Sequence, residues 1–465
     1  MAVTLPKAPR ILIARGDVLG DTVLSTVVID PIKKAYPDAS IHFMVQKPHI
    51  DLLSDVKEID GFIEDPFEYE SDFKEEKHRL KQLAEELKAK KFDVYISLWE
   101  QPRYAWLGWY AGIKIRAGHD FGFWNWLFYT HKSKLDRREF IRHQADQNLS
   151  LLSVLGLNTT PESAPIRLSP NTEKLEKLKK AYPFLNEPFC LIDINSKNTQ
   201  KLMILQNYQA IISYLLTVKK QRVVMMTSKP ESIQRAVKLQ KVLNHPNLYQ
   251  VGGMSLSELV TLTSAADFFI GPDSGPIHIA AGVKCPAIVY YLNRIQSALN
   301  WGPWQSPHYV IRSHHTCTDI CESTVCKKLD CRVPVHLKQF YAAIDALVSG
   351  EKSHHSDQRN YWLKKSSHIA VSDSKLAQEL RSEGWHIFEF SETSSIKEIK
   401  TVLSNKNISF ILNSSQNPWV RLKLEIARTW ASNEICYYAK IMRVRSLDVF
   451  SRKMKDYSDH KVMPY

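Results

Sequence analysis

The sequence lacks any apolar stretch long enough to cross a lipid bilayer. None of the uninterrupted apolar runs in its 465 residues approaches the roughly 18 residues that a transmembrane helix needs. Residues 1–10 also lack the charged, apolar and small-residue order of a secretory signal peptide. Hydrophobic residues make up 44% of the chain and charged residues 24%, an ordinary balance for a globular protein. Together these features predict a cytoplasmic protein.

The chain also lacks a basic motif interleaved with aromatic residues, of the kind that nucleic-acid-binding proteins use. Lys and Arg nevertheless number 62 against 49 for Asp and Glu, so the net charge is +13. An anionic membrane surface, an anionic substrate or solubility alone would each account for this excess. We therefore expect no nucleic-acid partner and retain an anionic membrane surface as a candidate partner.

Cysteine is sparse, and four of the seven cysteines lie close together. The spacings within this cluster are wider than the C-x2-C pairs of common zinc sites. Structural disulfides are not expected in a reducing compartment. The cluster is therefore either a zinc site or a cysteine-rich loop without metal, and it consists of Cys317, Cys321, Cys326 and Cys331.

Patterns of buried strands alternate with helical patterns along most of the chain. One series begins with Arg10–Ala14, and a second begins with Phe189–Asp193 after a proline-bearing linker. Such alternation predicts parallel β-α-β units and hence doubly wound sheets. We predict an α/β protein with one such domain at residues 1–165 and another at 171–350. Further strand patterns predict a small α/β extension with a basic tail at 361–465.

A loop late in the second series has the residues of an anion site. It follows the buried strand pattern Phe268–Ile270 and leads into a helix. Asp273 or Ser274 can cap that helix, and Gly275 lets the backbone approach a ligand. A helix start offers free N–H groups and the positive end of a dipole, which favour an anion such as phosphate. His278 falls in the first turn, beside the same site.

An aromatic tract between Trp99 and Tyr129 contains eleven aromatic residues. Such a density is compatible with a sugar or lipid site, because aromatic faces cover apolar sugar surfaces and membrane interfaces. Ordinary core packing is the alternative for most of these rings.

Two segments of the chain resemble a known family. Ile11–Thr26 reads as a strand, a polar pair and a Gly-Asp step into a helix, and Asp273–His278 is the loop described above. In this order and at this separation they resemble glycosyltransferase family 9, the bacterial heptosyltransferases of lipopolysaccharide core assembly. The resemblance extends from residue 10 to residue 350. Its further matches are Ala35–Asp38, Lys91–Ile96, His143 with Asn148–Gly156, Ser255–Leu259 and the cysteine cluster.

The resemblance implies a GT-B fold, in which two Rossmann-like domains face each other across a cleft. It implies an inverting transfer of heptose from ADP-heptose to a hydroxyl of a lipid-linked glycan acceptor. The enzyme would be cytoplasmic and peripheral to the inner membrane, with the nucleotide sugar as substrate and no cofactor.

The resemblance implies that Asp21 is the general base. A carboxylate fits this role, because the acceptor hydroxyl must lose its proton as it attacks. Alternatively, Asp21 caps a helix that we predict to begin at Thr22. Asp17 lies in the same loop and could share or take the role of the base. His143 is expected to be structural.

The resemblance also implies which residues bind the donor. A helix start and a lysine would stabilise the charge that builds on the leaving diphosphate. Alternatively, Lys201 is a surface charge and His278 a buried helical histidine. Relatives often carry a tryptophan after the lysine, where this chain has Leu202. The implied donor site consists of Lys201, Asp273, Ser274, Gly275 and His278, with Glu231 as the nearest match, one position out of register, to a donor-gripping glutamate.

No Asp-x-Asp motif occurs in the chain. The usual metal-dependent donor site therefore has no sequence support, which favours a metal-independent enzyme. Two rival functions remain open. One is a nucleotide-sugar epimerase or hydrolase on the same fold, and the other is a non-catalytic protein that binds a glycan or a nucleotide.

Overall fold

The computed structural model describes most of the first 350 residues and the strands of a C-terminal sheet. No helix in this described part has both the length and the apolar character needed to cross a membrane. The predicted cysteine cluster lies outside the described residues, and so does the basic tail apart from one strand. The described residues are 5–67, 77–120, 122–133, 143–157, 159–160, 163–196, 201–292, 298–312, 337–350, 368–371, 377–378, 381, 386–389, 394–395, 397–399, 408–413 and 440–443.

Six parallel strands form the first sheet, in the order β3-β2-β1-β4-β5-β6. Their central members are buried along nearly their whole length, as expected for strands that helices cover on both faces. The strands are β1 Arg10–Ala14, β2 Ser40–Val45, β3 Gly61–Glu64, β4 Val94–Ser97, β5 Ile115–His119 and β6 His131–Ser133. The helices are α1 Leu19–Ser25, α2 Ile29–Ala35, α3 Lys47–Leu53, α4 Lys77–Ala89, α5 Pro102–Tyr110, α6 Phe123–Phe128 and α7 Gln144–Ser153.

The second sheet repeats this topology, with the order β12-β11-β10-β7-β8-β9 and all strands parallel. Its strands are β7 Phe189–Asp193, β8 Arg222–Thr227, β9 Leu248–Gly252, β10 Phe268–Pro272, β11 Ala287–Tyr291 and β12 His308–Arg312. Its helices are α8 Thr172–Ala181, α9 Leu205–Ser213, α10 Pro230–Leu243, α11 Leu256–Ser264, α12 Gly275–Gly282, α13 Ala298–Trp301 and α14 Leu337–Val348.

A third, four-stranded parallel sheet follows, in the order β14-β13-β15-β16. The sequence patterns indicated three of these strands but not the last. The strands are β13 His368–Val371, β14 His386–Glu389, β15 Ile408–Asn413 and β16 Lys440–Arg443. The predicted α/β class, with two doubly wound sheets and a smaller extension, is confirmed.

The strand order places a ligand crevice in each of the two large sheets. It reverses between β1 and β4 in the first sheet and between β7 and β10 in the second. Crossover helices leave such a switch point on opposite faces, so a crevice opens at the carboxyl ends of these strands. The candidate residues near positions 17–21 and 273–278 follow β1 and β10, at these two crevices.

Apolar and polar contacts join the two large sheets. One buried apolar cluster includes residues of α1 and α7 from the first unit and of α12 from the second. Arg167 forms an ion pair with Asp30 at 2.5 Å. Asp55 accepts hydrogen bonds from Lys174 at 2.8 Å and from Ser257 at 2.5 Å. These contacts hold the first crevice next to the second.

The predicted start of the first helix, at Thr22, is wrong. Helix α1 begins at Leu19 rather than Thr22, and its N-cap is Val18, without a side-chain capping bond. Asp21 therefore lies inside the first turn and does not cap the helix. His143 is the N-cap of α7, where its side chain accepts a hydrogen bond from the N–H of Ala145.

Candidate active site

The loop after β1 carries Arg15, whose guanidinium group lies between two carboxylates. Its Nε donates a hydrogen bond to Oδ1 of Asp17 at 2.8 Å, and Nη2 lies 2.7 Å from Oδ2 of that carboxylate. Nη2 also pairs with Oδ1 of Asp21, and Nη1 donates to the carbonyl oxygen of Leu98, just after β4. All three charged side chains are buried. An ionic cluster thus lies at the first switch point.

Burial changes the acidity of both carboxylates. Burial raises the pKa of Asp21 above its usual range. The positive charge of Arg15 opposes this shift, and the negative charge of the nearby Glu100 adds to it. Burial also raises the pKa of Asp17 well above its usual range, against the opposing effect of Arg15. A carboxylate with a raised pKa is a stronger base than an exposed one. The cluster can therefore take a proton from a hydroxyl that enters the crevice.

The second switch point contains a buried carboxylate that holds the loop after β10. Asp193, at the end of β7, accepts hydrogen bonds through Oδ1 from the backbone N–H of Asn195 at 2.8 Å and from its Nδ2 at 2.9 Å. Its Oδ2 accepts a bond from the Ser274 hydroxyl at 3.2 Å. Burial raises the pKa of Asp193 to about 6.

Ser274 occupies the N-cap position of α12, but its side chain makes no capping bond to the helix. The hydroxyl donates to Asp193 instead. The Ser274 side chain therefore does not cap the first turn of α12, which begins at Gly275. The N–H groups at a helix start are suited to an anion.

Lys201 and Asp273 come together at the same crevice. Nζ of Lys201 donates to the carbonyl oxygen of Asp273 at 2.8 Å and lies 3.3 Å from its Oδ2. The Lys201 side chain is partly exposed, whereas Asp273 is buried. The lysine thus places a positive charge beside the start of α12.

Two glycines let the starts of α1 and α12 approach each other across the domain interface. A Cβ added to Gly20 would lie 2.7 Å from Cδ2 of His278, and one added to Gly275 would lie 2.7 Å from Cδ2 of Leu19. Any larger residue would clash with these side chains. Asp21 follows Gly20 directly, so it lies beside the start of the opposing helix.

His278 is buried at this contact in a neutral form. Burial, with smaller contributions from the nearby His143 and Lys201, lowers its pKa to about 3. Its Nδ1 has no hydrogen-bond partner within the described residues. The ring lies edge-on to Trp301, with 6.5 Å between centroids. A neutral imidazole nitrogen in this position can accept a hydrogen bond from a ligand.

His143 links the two units structurally. Its Nδ1 accepts the bond from Ala145 at 3.1 Å, so the proton lies on Nε2, which donates to the carbonyl oxygen of Gly302 at 2.9 Å. This geometry fits the structural role expected for His143.

The remaining predicted positions lie away from these contacts. Glu231 is exposed in the first turn of α10, and no described contact joins it to Asp273 or Lys201. Among the described residues, no three His, Cys, Asp or Glu side chains come together to hold a metal ion. The proposed zinc cysteines are not among those residues.

Sequence reasoning missed Arg15 and Asp193 as members of the site. Each had a signal, because Arg15 directly follows the buried strand β1, and Asp193 is a charged residue at the end of the buried strand β7. Charged residues at the carboxyl ends of parallel strands are candidates for ligand contact.

Two doubly wound α/β units with adjoining switch points define the GT-B class of protein. A family model described as glycosyltransferase family 9 (heptosyltransferase) matches residues 80–330, more than half of the chain. The chain therefore belongs to glycosyltransferase family 9 and is a glycosyltransferase. The resemblance inferred from the two loops is confirmed.

Similar proteins agree with this assignment. Lipopolysaccharide heptosyltransferase 3 of Escherichia coli is 26% identical over 300 residues, which cover 62% of this chain and 84% of the relative. The crystal structure of a family 9 glycosyl transferase from Veillonella parvula has a TM-score of 0.64 at 19% identity, covering 75% of this chain and 100% of that one. The structure of E. coli ADP-heptose lipopolysaccharide heptosyltransferase II has a TM-score of 0.59 at 19% identity. The match covers 74% of this chain and 100% of that one. The two structures support the shared fold.

Proposed function

We propose that the enzyme transfers heptose from ADP-heptose to a sugar hydroxyl of a lipopolysaccharide-core or other surface-glycan acceptor, with inversion and without a metal. The names of the similar proteins support this choice of donor and acceptor. A lipid-linked acceptor would bring the enzyme to the cytoplasmic face of the inner membrane.

One observation carries the proposal. The start of α12 lies directly against the start of α1, whose first turn contains Asp21. A diphosphate at α12 would therefore place its sugar next to the Asp21 carboxylate. This is the arrangement that an inverting transfer needs, with the base on the acceptor side and the leaving group on the opposite side.

In this mechanism Asp21 accepts the proton of the acceptor hydroxyl. The hydroxyl oxygen attacks the anomeric carbon from the face opposite the diphosphate. The new glycosidic bond forms while the bond between that carbon and the phosphate oxygen breaks, and ADP leaves. Arg15 holds the carboxylate of Asp21 in place through its ion pair.

The donor side supplies the positive charge that the leaving diphosphate needs. The dipole of α12 and the ammonium group of Lys201 both lie at the crevice, so they can stabilise the departing phosphate without a metal. Asp273 holds Lys201 through its carbonyl and carboxylate oxygens and can accept hydrogen bonds from sugar hydroxyls. Neutral His278 offers a further acceptor.

The first test is thermal unfolding of the wild type, Asp21→Asn and Lys201→Gln with ADP, UDP or GDP. We expect ADP to raise the melting temperature of the wild type and of Asp21→Asn, and to have much less effect on Lys201→Gln. A ligand at about 100 times its Kd stabilises a protein by about 2.7 kcal/mol, which is easily detected. An exposed lysine in the middle of α10 provides the matched control, Lys238→Gln.

The second test is turnover of ADP-heptose with a heptose-deficient core acceptor in the presence of EDTA. We expect ADP release together with a product of inverted anomeric configuration by NMR. A retained configuration, or turnover that EDTA abolishes, would contradict the proposed mechanism. ADP release without an acceptor product would favour a hydrolase instead.

A further inference from the structure

Helix α6 turns most of its aromatic side chains toward solvent. Of its six residues only Asn125 and Phe128 are buried. The exposed fractions are 64% for Phe123, 51% for Trp124 and 57% for Trp126. Aromatic rings normally bury most of their area, so this exposure calls for a partner.

The exposed rings form one continuous surface. Centroids of Phe123 lie 5.3 Å from Trp124 and 6.3 Å from Trp126. Phe128 lies beneath them, 5.7 Å from Trp124 and 4.9 Å from Trp109, which is itself 47% exposed. We call Trp109, Phe123, Trp124, Trp126 and Leu127 the aromatic face; Leu127 is 48% exposed.

Positive charge borders the aromatic face. Residues 101–133 contain Asp120 as their only acidic residue, against four Lys and Arg. Lys114 and Lys132 are exposed, and Nζ of Lys132 lies 5.4 Å from the ring centroid of Trp126. Indole rings at the level of lipid headgroups, next to lysines that contact anionic lipids, are typical of membrane-bound surfaces.

Two other occupants fit this surface less well. A glycan needs several polar side chains, but the one polar side chain of α6, Asn125, is buried and donates to the carbonyl oxygen of Glu100 at 2.7 Å. A second copy in a twofold dimer would bring four lysines to one interface, two from each copy, and such like charges repel.

The aromatic face is also tied to the acceptor side of the candidate active site. Asn125 anchors α6 to Glu100, in the segment after β4 whose Leu98 carbonyl accepts a bond from Arg15. A membrane bound at α6 would therefore lie on the side of the protein where Asp21 meets its acceptor.

We propose that the aromatic face docks on an anionic phospholipid surface and holds the first crevice toward a membrane-bound acceptor. The orientation toward an acceptor rests on the proposed function, whereas the lipid contact does not. Lipid binding and catalysis are therefore separate properties, and each has its own measurement.

The test compares the full chain with Trp124→Ser/Trp126→Ser in flotation with vesicles. One set contains phosphatidylethanolamine with phosphatidylglycerol, and the other contains phosphatidylcholine alone. We expect wild-type binding to the anionic vesicles only, and a loss of about tenfold or more in the double variant. Ile233→Ser/Val237→Ser is the matched control, because these α10 residues are 46% and 49% exposed in the other unit. It should bind like the wild type.

Turnover of a water-soluble, delipidated acceptor should be unchanged in Trp124→Ser/Trp126→Ser. Absence of turnover in the wild type would overturn the proposed function and not the lipid contact. Unchanged vesicle binding by the tryptophan variant, or equal binding of the wild type to phosphatidylcholine, would overturn the inference. So would a wild-type dimer in sedimentation that the tryptophan substitutions dissociate.

Discussion

Arg15 contacts both carboxylate oxygens of Asp17 but one oxygen of Asp21. The two acids are therefore not equivalent, although they lie in the same loop and are both buried. Both carboxylate oxygens of Asp17 are engaged by Arg15. Asp21 lies in the first turn of α1, beside the start of the opposing helix α12. This difference favours Asp21 over Asp17 as the base.

Asp21→Asn is expected to reduce kcat by about 100-fold to 10,000-fold, because general-base catalysis contributes on that scale. The change is nearly isosteric and should leave ADP binding intact. Asp17→Asn should reduce kcat much less and lower stability instead, because it weakens the contacts of buried Arg15. Steady-state kinetics with both variants checks this, and a larger kcat loss in Asp17→Asn would reverse the assignment.

Arg15→Gln should shift the acidic limb of the pH profile of kcat/KM to higher pH. Arg15 opposes the burial that raises the pKa of Asp21, so its removal leaves a weaker acid that is protonated at higher pH. Stability should also fall by about 3–5 kcal/mol, because the buried acids lose their cation.

Arg15→Lys tests whether the charge alone is responsible. It keeps a cation near Asp21 but cannot contact two carboxylates at once with a planar fork. We expect the acidic limb of Arg15→Lys to lie between those of the wild type and Arg15→Gln. An unshifted limb in Arg15→Gln would mean that Asp21 is not the titrating base.

The sequence predicted strands better than helices in this protein. The bounds of β1 and β7 match the predictions, since each strand is a short apolar run that is buried on both faces. Helices α5 and α6 were not predicted, because aromatic residues occur along both without a clear apolar stripe. In α6 the tryptophans are exposed, so their spacing does not follow the pattern of a buried helix face.

The candidate site was predicted only in part, for a physical reason. Asp21, Lys201 and Asp273 were identified from loops and from a family resemblance, which report residue type and order. The pairing of Arg15 with two acids, and the contact of Gly20 with His278, depend on how side chains and domains meet. Local sequence patterns carry no information on such distant contacts.

His278 should make the protein less stable in acid. Its pKa is about 3 in the folded protein and 6.5 when unperturbed, so between these values the unfolded state binds the extra proton. The free energy of unfolding is therefore unaffected by His278 above pH 6.5 and decreases as the pH falls toward 3. Between these two values His278 should change the free energy of unfolding by about 1.4 kcal/mol per pH unit. Equilibrium unfolding of the wild type and His278→Gln checks this; equal slopes would show that His278 is protonated in the fold.

Gly20→Ala should destabilise the contact between the two units, although alanine favours a helix by about 1 kcal/mol over glycine. The added methyl group would meet the ring of His278, which is buried and has little room to move. Overpacking of this kind costs about 1–3 kcal/mol, and separation of the helix starts should also lower kcat/KM. A double-mutant cycle with His278→Ala isolates the clash in the free energy of unfolding. In the His278→Ala background Gly20→Ala should cost nothing, because the ring is gone. The same cost in both backgrounds would mean that Gly20 has another role than close approach to His278.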